Sequence, residues 1–430
     1  MTRLPIVHAK VFVAGFQWSD AAYHDWHVLS SQLLFRDDTF SAHSNPLVPD
    51  ARKIRNVSVK ALSLALTLVA APLSAQQDVR VATSGTHSLV IAPDGTVLCQ
   101  GWNQYNVCGV GAATAFVERM TPVKGVPKGK AVAVADPRTS VVLGDNGRVY
   151  VWGNNGSGLF GGTDRGPKFE QGQPVVLDGL DRVVDICAFQ EGGAALRDDG
   201  TVWMWGEDHE GLLATGVLGT QWDGGTPYYQ PRRVAALDQV VQIAGGLSHM
   251  LALKKDGTVW AWGRGRDGEL GLGDLLSRAV PTRLPTLTGV SRIGADGAMS
   301  WATLTNGSVV VWGEAPSATS TRDVYPPVLL PSPLPGLLAD AIEVGNGIAL
   351  MRDGTVRTWG GNSFGSLGTG AGVDAVSVRG VRVGSLSNIV HVWSGNNRRL
   401  ALSASGSLYL WGPSGSAGAG VFRVPTVVAP

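Results

Sequence analysis

Asp256-Gly257-Thr258-Val259-Trp260-Ala261-Trp262-Gly263 is the clearest copy of a phrase that the chain writes seven times. The phrase is an acidic, amide or serine residue, a glycine, an alternating strand, then a closing glycine. Its turn glycines are Gly95, Gly147, Gly200, Gly257, Gly307, Gly354 and Gly406, separated by 52, 53, 57, 50, 47 and 52 residues. A second glycine follows six positions later in every copy, from Gly101 to Gly412. Self-similarity at a period near 50 residues is the mark of a repeat architecture, and strand-built units point to a propeller.

Around Gly257 the unit reads VVQIAGGLSHMLALKKDGTVWAWG. Val241 and Ile243 begin a strand, Gly245-Gly246 turns it, and Met250 to Leu253 forms a second strand. Asp256-Gly257 predicts a type I′ hairpin turn, which needs positive φ at both central residues. Asp or Asn precedes the glycine in six units, and Ser405 does so in the seventh.

The strand after the turn is apolar on both sides. Two residues past the glycine stand Val97, Val149, Val202, Val259, Val309, Val356 and Leu408. Five past it stand Trp152, Trp205, Trp262, Trp312, Trp359 and Trp411, with Gln100 the exception. Odd and even offsets point to opposite faces of a strand. A sheet wetted on one side would alternate apolar with polar. These sheets are therefore covered on both sides, as when blades stack around an axis. The expected fold is all-β: a closed seven-bladed propeller of about four antiparallel strands per blade, in preference to an open solenoid, which needs polar caps. Expected blades are 79–130, 131–182, 183–239, 240–289, 290–340, 341–387 and 388–430. Closure is expected either through the tail strand near Val424 to Val428 lying beside the first blade or through simple blade packing.

Each unit continues with a glycine-rich stretch, such as RGRDGELGLGD at 264–274, GNSFGSLGTG at 361–370 and NQYNVCGVG at 103–111. The fifth unit has EAPSATSTRDVYPP there, so its loop should be irregular. The full pattern is Gly-x-x-His-Ser-x-Ala-Leu, Asp-Gly-x-Val-x-x-Trp-Gly, then Gly-x-Leu-Gly-x-Gly. It resembles the regulator of chromosome condensation repeat family, across roughly residues 79–430. The resemblance implies a seven-bladed propeller. The family's histidine is kept at His87 and His249, while Thr139, Gly192, Met299, Asn346 and Arg398 occupy the aligned positions.

The first 80 residues read differently. Of 58 glycines only Gly15 lies before residue 80, and four of eight histidines fall in the first 43 positions. RKIRNVSVKALSLALTLVAAPLSAQQ (52–77) has a basic start, a largely apolar run from Ala61 to Leu73, and small residues at Ser74-Ala75. This is the layout of a secretory signal peptide. The apolar run is too short to span a bilayer as a helix, which takes about 20 residues. The expected organisation is a non-repeat extension at 1–56, absent from the natural product if translation starts near Val57 or Val59. A signal peptide at 57–75 and the propeller at 76–430 would follow it. Export to the periplasm, cell surface or medium is expected.

Removing residues 1–75 takes seven basic and five acidic residues from 35 and 34, leaving 28 against 29. A balanced charge gives no electrostatic reason to bind nucleic acid or anionic membrane. Of the three cysteines, Cys99 and Cys108 could close a local disulfide in an oxidising compartment, and Cys187 reads as a small apolar residue.

No catalytic constellation stands out. His87 and His249 read as structural histidines hydrogen-bonded inside their blades. His209 between Asp208 and Glu210 reads as a solvated turn, not a metal site, and no motif implies a cofactor. The longest unit places its extra residues in GVLGTQWDGGTPYYQPRRV, 216–234. Trp222, Tyr228, Tyr229, Arg232 and Arg233 cluster there, and such side chains on loops are enriched at binding hot spots. The function expected is a monomeric, exported, non-catalytic propeller binding a protein or other macromolecule through its loops. The alternatives are a proteinaceous inhibitor of a secreted enzyme, and a nucleotide-exchange regulator of a small GTPase, as the resemblance implies.

Overall fold

The computed structural model describes residues 81–429 apart from 112–113, 136–138, 155–169, 190–191, 220–226, 236, 317–325, 373, 396 and 414–420. The 1–56 extension and the 57–75 export segment lie outside the described residues.

Seven four-stranded antiparallel sheets follow one another along the chain. Blade 1 is Val81–Thr83, His87–Ile91, Val97–Trp102 and Phe116–Pro122 (β1–β4). Blade 2 is Gly129–Ala135, Thr139–Gly144, Val149–Asn154 and Glu170–Val176 (β5–β8). Blade 3 is Val183–Phe189, Gly192–Arg197, Val202–Glu207 and Pro227–Arg233 (β9–β12). Blade 4 is Val240–Gly245, His249–Lys254, Val259–Gly263 and Arg278–Arg283 (β13–β16). Blade 5 is Val290–Asp296, Met299–Leu304, Val309–Gly313 and Val328–Pro333 (β17–β20). Blade 6 is Ala341–Gly345, Ile348–Met351, Val356–Gly361 and Val376–Arg382 (β21–β24). Blade 7 is Ile389–Gly395, Arg398–Ser403, Leu408–Pro413 and Val421–Ala429 (β25–β28). Among the described residues the helical segments are two 3-10 turns, at Gln104–Asn106 and Gly336–Leu338, and no helix is long and apolar enough to cross a membrane.

The first strand of each blade is innermost. These strands touch in a complete circle, β1 to β5, β9, β13, β17, β21, β25 and back to β1. The ring closes by blade packing: the tail strand β28 pairs with β27 of its own sheet. Every blade is therefore built from one continuous stretch of chain. Blade 2 starts at Gly129, two residues before the sequence boundary of 131.

The hairpin turns differ from the type I′ expectation. Gly257 has φ +78°, but Asp256 is not among the positive-φ residues. Gly257 N donates to Lys254 O, and Lys254 N to Thr258 O, both at 2.9 Å. This is a three-residue loop, a type I turn followed by a left-handed glycine. Asp256 serves through its side chain: Oδ1 accepts from Thr258 N at 3.0 Å and Thr258 Oγ1 at 2.7 Å. The same brace forms at Asp94, Asn146, Asp199, Asn306 and Asp353. At the seventh turn Ser403 Oγ takes this role from Ser407 N. The carboxylate or amide is chosen for its oxygen, an Asx-type hydrogen bond.

The six repeated indoles are buried, Trp152, Trp205, Trp262, Trp312 and Trp411 at 1% exposure or less and Trp359 at 4%. Each brings on the order of 150–250 Å² of largely apolar surface out of water. Their positions follow from the glycine-rich stretches, which tuck between blades. Asn106, Gly211, Gly268 and Gly365 open equivalent turns with positive φ. The carbonyl of the next residue in each then accepts the indole N–H of the following blade. Trp152 Nε1 donates to Val107 O at 2.7 Å and Trp262 to Leu212 O at 2.8 Å. Trp312 donates to Glu269 O at 2.8 Å and Trp411 to Ser366 O at 3.0 Å. A buried indole N–H needs such a partner, so the Trp-Gly and Gly-x-Leu-Gly elements of adjacent units form one interblade lock.

A second set of clamps runs around the inner strands. In blades 3 to 6 the third residue of the inner strand reaches to the next blade. Asp185 accepts from Ile243 N, and Gln242 pairs with both Ile293 N and Ile293 O. Arg292 pairs with Glu343 at 3.1 Å, and Glu343 accepts from Val392 N. Burial pushes the Asp185 carboxyl up to about 7.

Candidate interaction site on the loop face

Because each sheet runs in sequence order from the axis outward, the connections sort to two ends. The seven tight turns and the blade-to-blade connections occupy one end. The first-to-second and third-to-fourth strand connections occupy the other, the loop face.

On the loop face over blades 3 and 4, five aliphatic side chains stand in water. They are Val217 (66% exposed), Leu218, Leu247, Leu275 and Leu276 (63%). They come from three separate connections that backbone contacts bring together. Gly216 N donates to Ala279 O, and Glu210 N to Gly219 O. Arg264 N donates to Ser248 O, and Gly265 N to Ser277 Oγ. Leu247, Leu276 and Leu218 are thus each one residue from a member of one connected network. Scattered exposed apolar residues are ordinary, but several gathered on adjoining loops and flanked by charged groups suit an interaction surface.

The flanking charges come from the same loops. Arg264 pairs with Asp267 and with Glu269 at 3.1 Å. Arg266 pairs with Glu210 at 3.2 Å, and Ser277 Oγ donates to the same carboxylate at 2.8 Å. Arg278 pairs with Asp274, and His209 with Glu207. Burial raises the Glu269 carboxyl to about 7, and burial with the Asp267 charge raises Glu314.

Asp208, His209 and Glu210 do not converge. Asp208 braces its own loop, accepting from Leu213 N and Thr215 Oγ1, as Asn103 and Asn362 do at Cys108 N and Leu367 N. Among the described residues no group of three metal-ligand side chains forms.

Of the aromatic and arginine cluster proposed for 216–234, Trp222 lies outside the described residues. Tyr228, Tyr229, Arg232 and Arg233 do not sit on a loop, as the sequence reading had it. They belong to β12, the outer strand of blade 3, where Tyr228 pairs with Gly206 and Arg232 with Met204. Arg232 and Arg233 are exposed on that strand. A Pro-Arg-Arg run after glycines reads as loop, yet outer strands tolerate proline because one edge is unpaired. The leucines of the patch were missed because isolated aliphatics in glycine-rich loops resemble core residues such as Leu212 and Leu270.

His87 and His249 bond between blades, and His87 also meets Ser84 and Thr86 of its own blade through Nδ1. His87 Nε2 meets Ser140 Oγ at 3.0 Å, and Ser140 donates to Val107 O at 2.6 Å. His249 Nε2 meets Ser300 Oγ at 2.7 Å, and Ser300 donates to Glu269 O. Each hydroxyl gives its one proton to the carbonyl, so Nε2–H is the histidine donor. Burial, with the charges of Arg398 and Arg264, lowers both histidines to about 3. Cys99 and Cys108 form a buried disulfide, Cα–Cα 5.2 Å, beside the Val107 acceptor.

These features define a class: a seven-bladed propeller whose blades are locked by indole-to-loop and histidine-to-serine bonds and whose variable connections gather on one face. The chain belongs to the RCC1-like domain family, whose model matches residues 54–371. It is 30% identical over 281 residues to the human E3 ubiquitin-protein ligase HERC2, a match covering 63% of this chain and 6% of that protein. It is 28% identical over 273 residues to the ultraviolet-B receptor UVR8 of Arabidopsis thaliana, covering 61% of this chain and 60% of the receptor. The chain thus spans less than two thirds of these relatives. Among solved structures, Prp20p from Saccharomyces cerevisiae, reported with its binding to Gsp1p and histones, superposes with a TM-score of 0.65 at 21% identity. That alignment covers 83% of this chain and 89% of Prp20p.

Proposed function

We propose that this protein is an exported, monomeric, non-catalytic propeller that binds another protein through its loop face, centred on blades 3 and 4. The exposed aliphatic patch Val217, Leu218, Leu247, Leu275 and Leu276 carries this reading. A rigid ring with variable loops on one side suits binding by many side chains at once. Binding proteins is also what Prp20p is reported to do, with Gsp1p and histones.

The basic, apolar and small-residue order of 52–77 supports export, and the Cys99–Cys108 disulfide suits an oxidising compartment. The neutral, hydrogen-bonded state of His87 and His249 supports a structural role for both. A near-balanced charge after Ala75 disfavours nucleic acid as the partner.

The test is fractionation of the native organism followed by cross-linking. The protein should be recovered outside the cytoplasm with a mass starting near Gln76, and its cross-links to a protein partner should fall on the loop face. Recovery in the cytoplasm with peptides from residues 11–50 would refute export. If the partner is an enzyme, stoichiometric loss of its activity would identify this chain as an inhibitor.

A further inference from the structure

We infer that the blade 3–4 patch takes a protein segment presenting a lysine or arginine side chain flanked by aliphatic ones. The inference rests on the binding role proposed above and specifies the partner's chemistry. The two long loops that bear the patch also carry the carboxyls of Glu207, Asp208, Glu210, Asp267, Glu269 and Asp274, of which Asp208, Glu210 and Glu269 are buried. Among the described residues Arg264, Arg266 and Arg278 pair with that set and His209 with Glu207. With Glu269 drawn toward neutrality by burial, the remaining carboxylates still outnumber the guanidiniums, whereas the mature chain is nearly neutral. Opposite charge across an interface selects the partner and speeds encounter.

Glu210 gives this field a focus. Its residue is 4% exposed, Oε2 is engaged by Ser277 and Arg266, and Oε1 has no hydrogen-bond partner. An unsatisfied buried carboxylate oxygen is costly, and a charged donor is the strongest partner it can acquire. Arg266 does not already fill the role: it meets Oε2 through Nε and its side chain is 59% exposed. Glu210 lies between the two leucine-bearing loops, bonded to Gly219 beside Leu218 and to Ser277 beside Leu276. Oε1 itself is closed to solvent, so Glu210 acts through its charge, and a cation drawn over it would bring its neighbouring side chains onto Leu218 and Leu276.

The test uses fluorescence anisotropy with the full chain and two fluorescein-labelled twelve-residue peptides. One alternates leucine with lysine, the other leucine with glutamate. The lysine peptide should bind at least tenfold tighter. Its affinity should fall at least tenfold in the Leu218→Ser, Leu276→Ser double variant and at least threefold in Glu210→Gln, while the leucine variant melts as the parent does. If Glu210→Gln fails to fold, Asp267→Asn, at the rim, replaces it with the same expected direction. Absence of saturable binding, equal affinity for both peptides, or affinity unchanged in the variants overturns the inference. Cross-links of the native partner confined to the turn face would overturn it too, yet leave a protein-binding role standing. Failure to capture any partner would instead remove the binding role itself.

Discussion

Arg398 Nη1, in the last blade, donates to the carbonyl of Thr86, in the first, at 3.0 Å. The bond spans the seam where the ring closes. Arg398 stands in the histidine position of its unit and Gln100 in the tryptophan position of blade 1. Among the seven units the tryptophan position departs from tryptophan at Gln100 and the histidine position holds an arginine at Arg398, and both departures fall at this seam. Gly101, next to Gln100, has room for no side chain, because a Cβ there would approach Thr86 O and Arg398 Nη1. Gln100 Oε1 and Arg398 Nε and Nη2 are buried without partners. The closing seam is thus a polar, less satisfied joint, and Arg398→Ala, which removes its hydrogen bond to Thr86 O, should lower stability by about 1.5–3 kcal/mol, the worth of a hydrogen bond to a charged group. Hydrogen exchange should show strands β1 and β25 opening before β13 and β17. Uniform protection around the ring would refute a weak seam.

Trp262→Ala removes a fully buried indole and orphans the Leu212 carbonyl. Loss of a buried tryptophan costs about 3–5 kcal/mol. Chemical denaturation should show that loss in the Trp262 variant. Trp260→Ala, on the half-buried side of the same strand, should cost clearly less.

Acid should act through the interblade histidines. Their folded-state pKa of about 3 lies below the ordinary 6.5, so the unfolded chain binds protons that the folded ring refuses. Stability contributed by the neutral histidines is intact above about pH 6.5 and declines as pH falls toward 3. Each histidine adds up to about 1.4 kcal/mol per pH unit to that decline. Urea titrations of His249→Gln between pH 7 and 4 should give a shallower slope than the parent. An unchanged slope would mean that His249 is charged in the fold.

The Cys99–Cys108 disulfide holds the blade 1 loop to its own strand, next to the carbonyl that receives Trp152 and Ser140. Closing a loop of about ten residues is worth about 2.5 kcal/mol in the chain-entropy model. Cys99→Ser with Cys108→Ser should melt lower by a corresponding amount. Native, unreduced protein should bind alkylating reagent at Cys187 at most, and slowly, because burial pushes that thiol well above its usual range.

The sequence by itself determined the number of blades, by the count of its units, and the place of each turn and the strand that bears each tryptophan, because those depend on residues two to six apart, within one hairpin. Even there it mistook the reason for Asp256, whose side chain braces Thr258 while its backbone stays at negative φ. Only the tertiary structure decided that Trp262 meets Leu212, that Ser140 receives His87 and that Tyr228 and Arg232 lie in a strand. The same holds for the joining of Leu218 to Leu276 around Glu210. Each of those pairings spans about one blade or crosses a loop, so its distance is set by how wedges pack around an axis. A linear pattern of spacings carries no such distance.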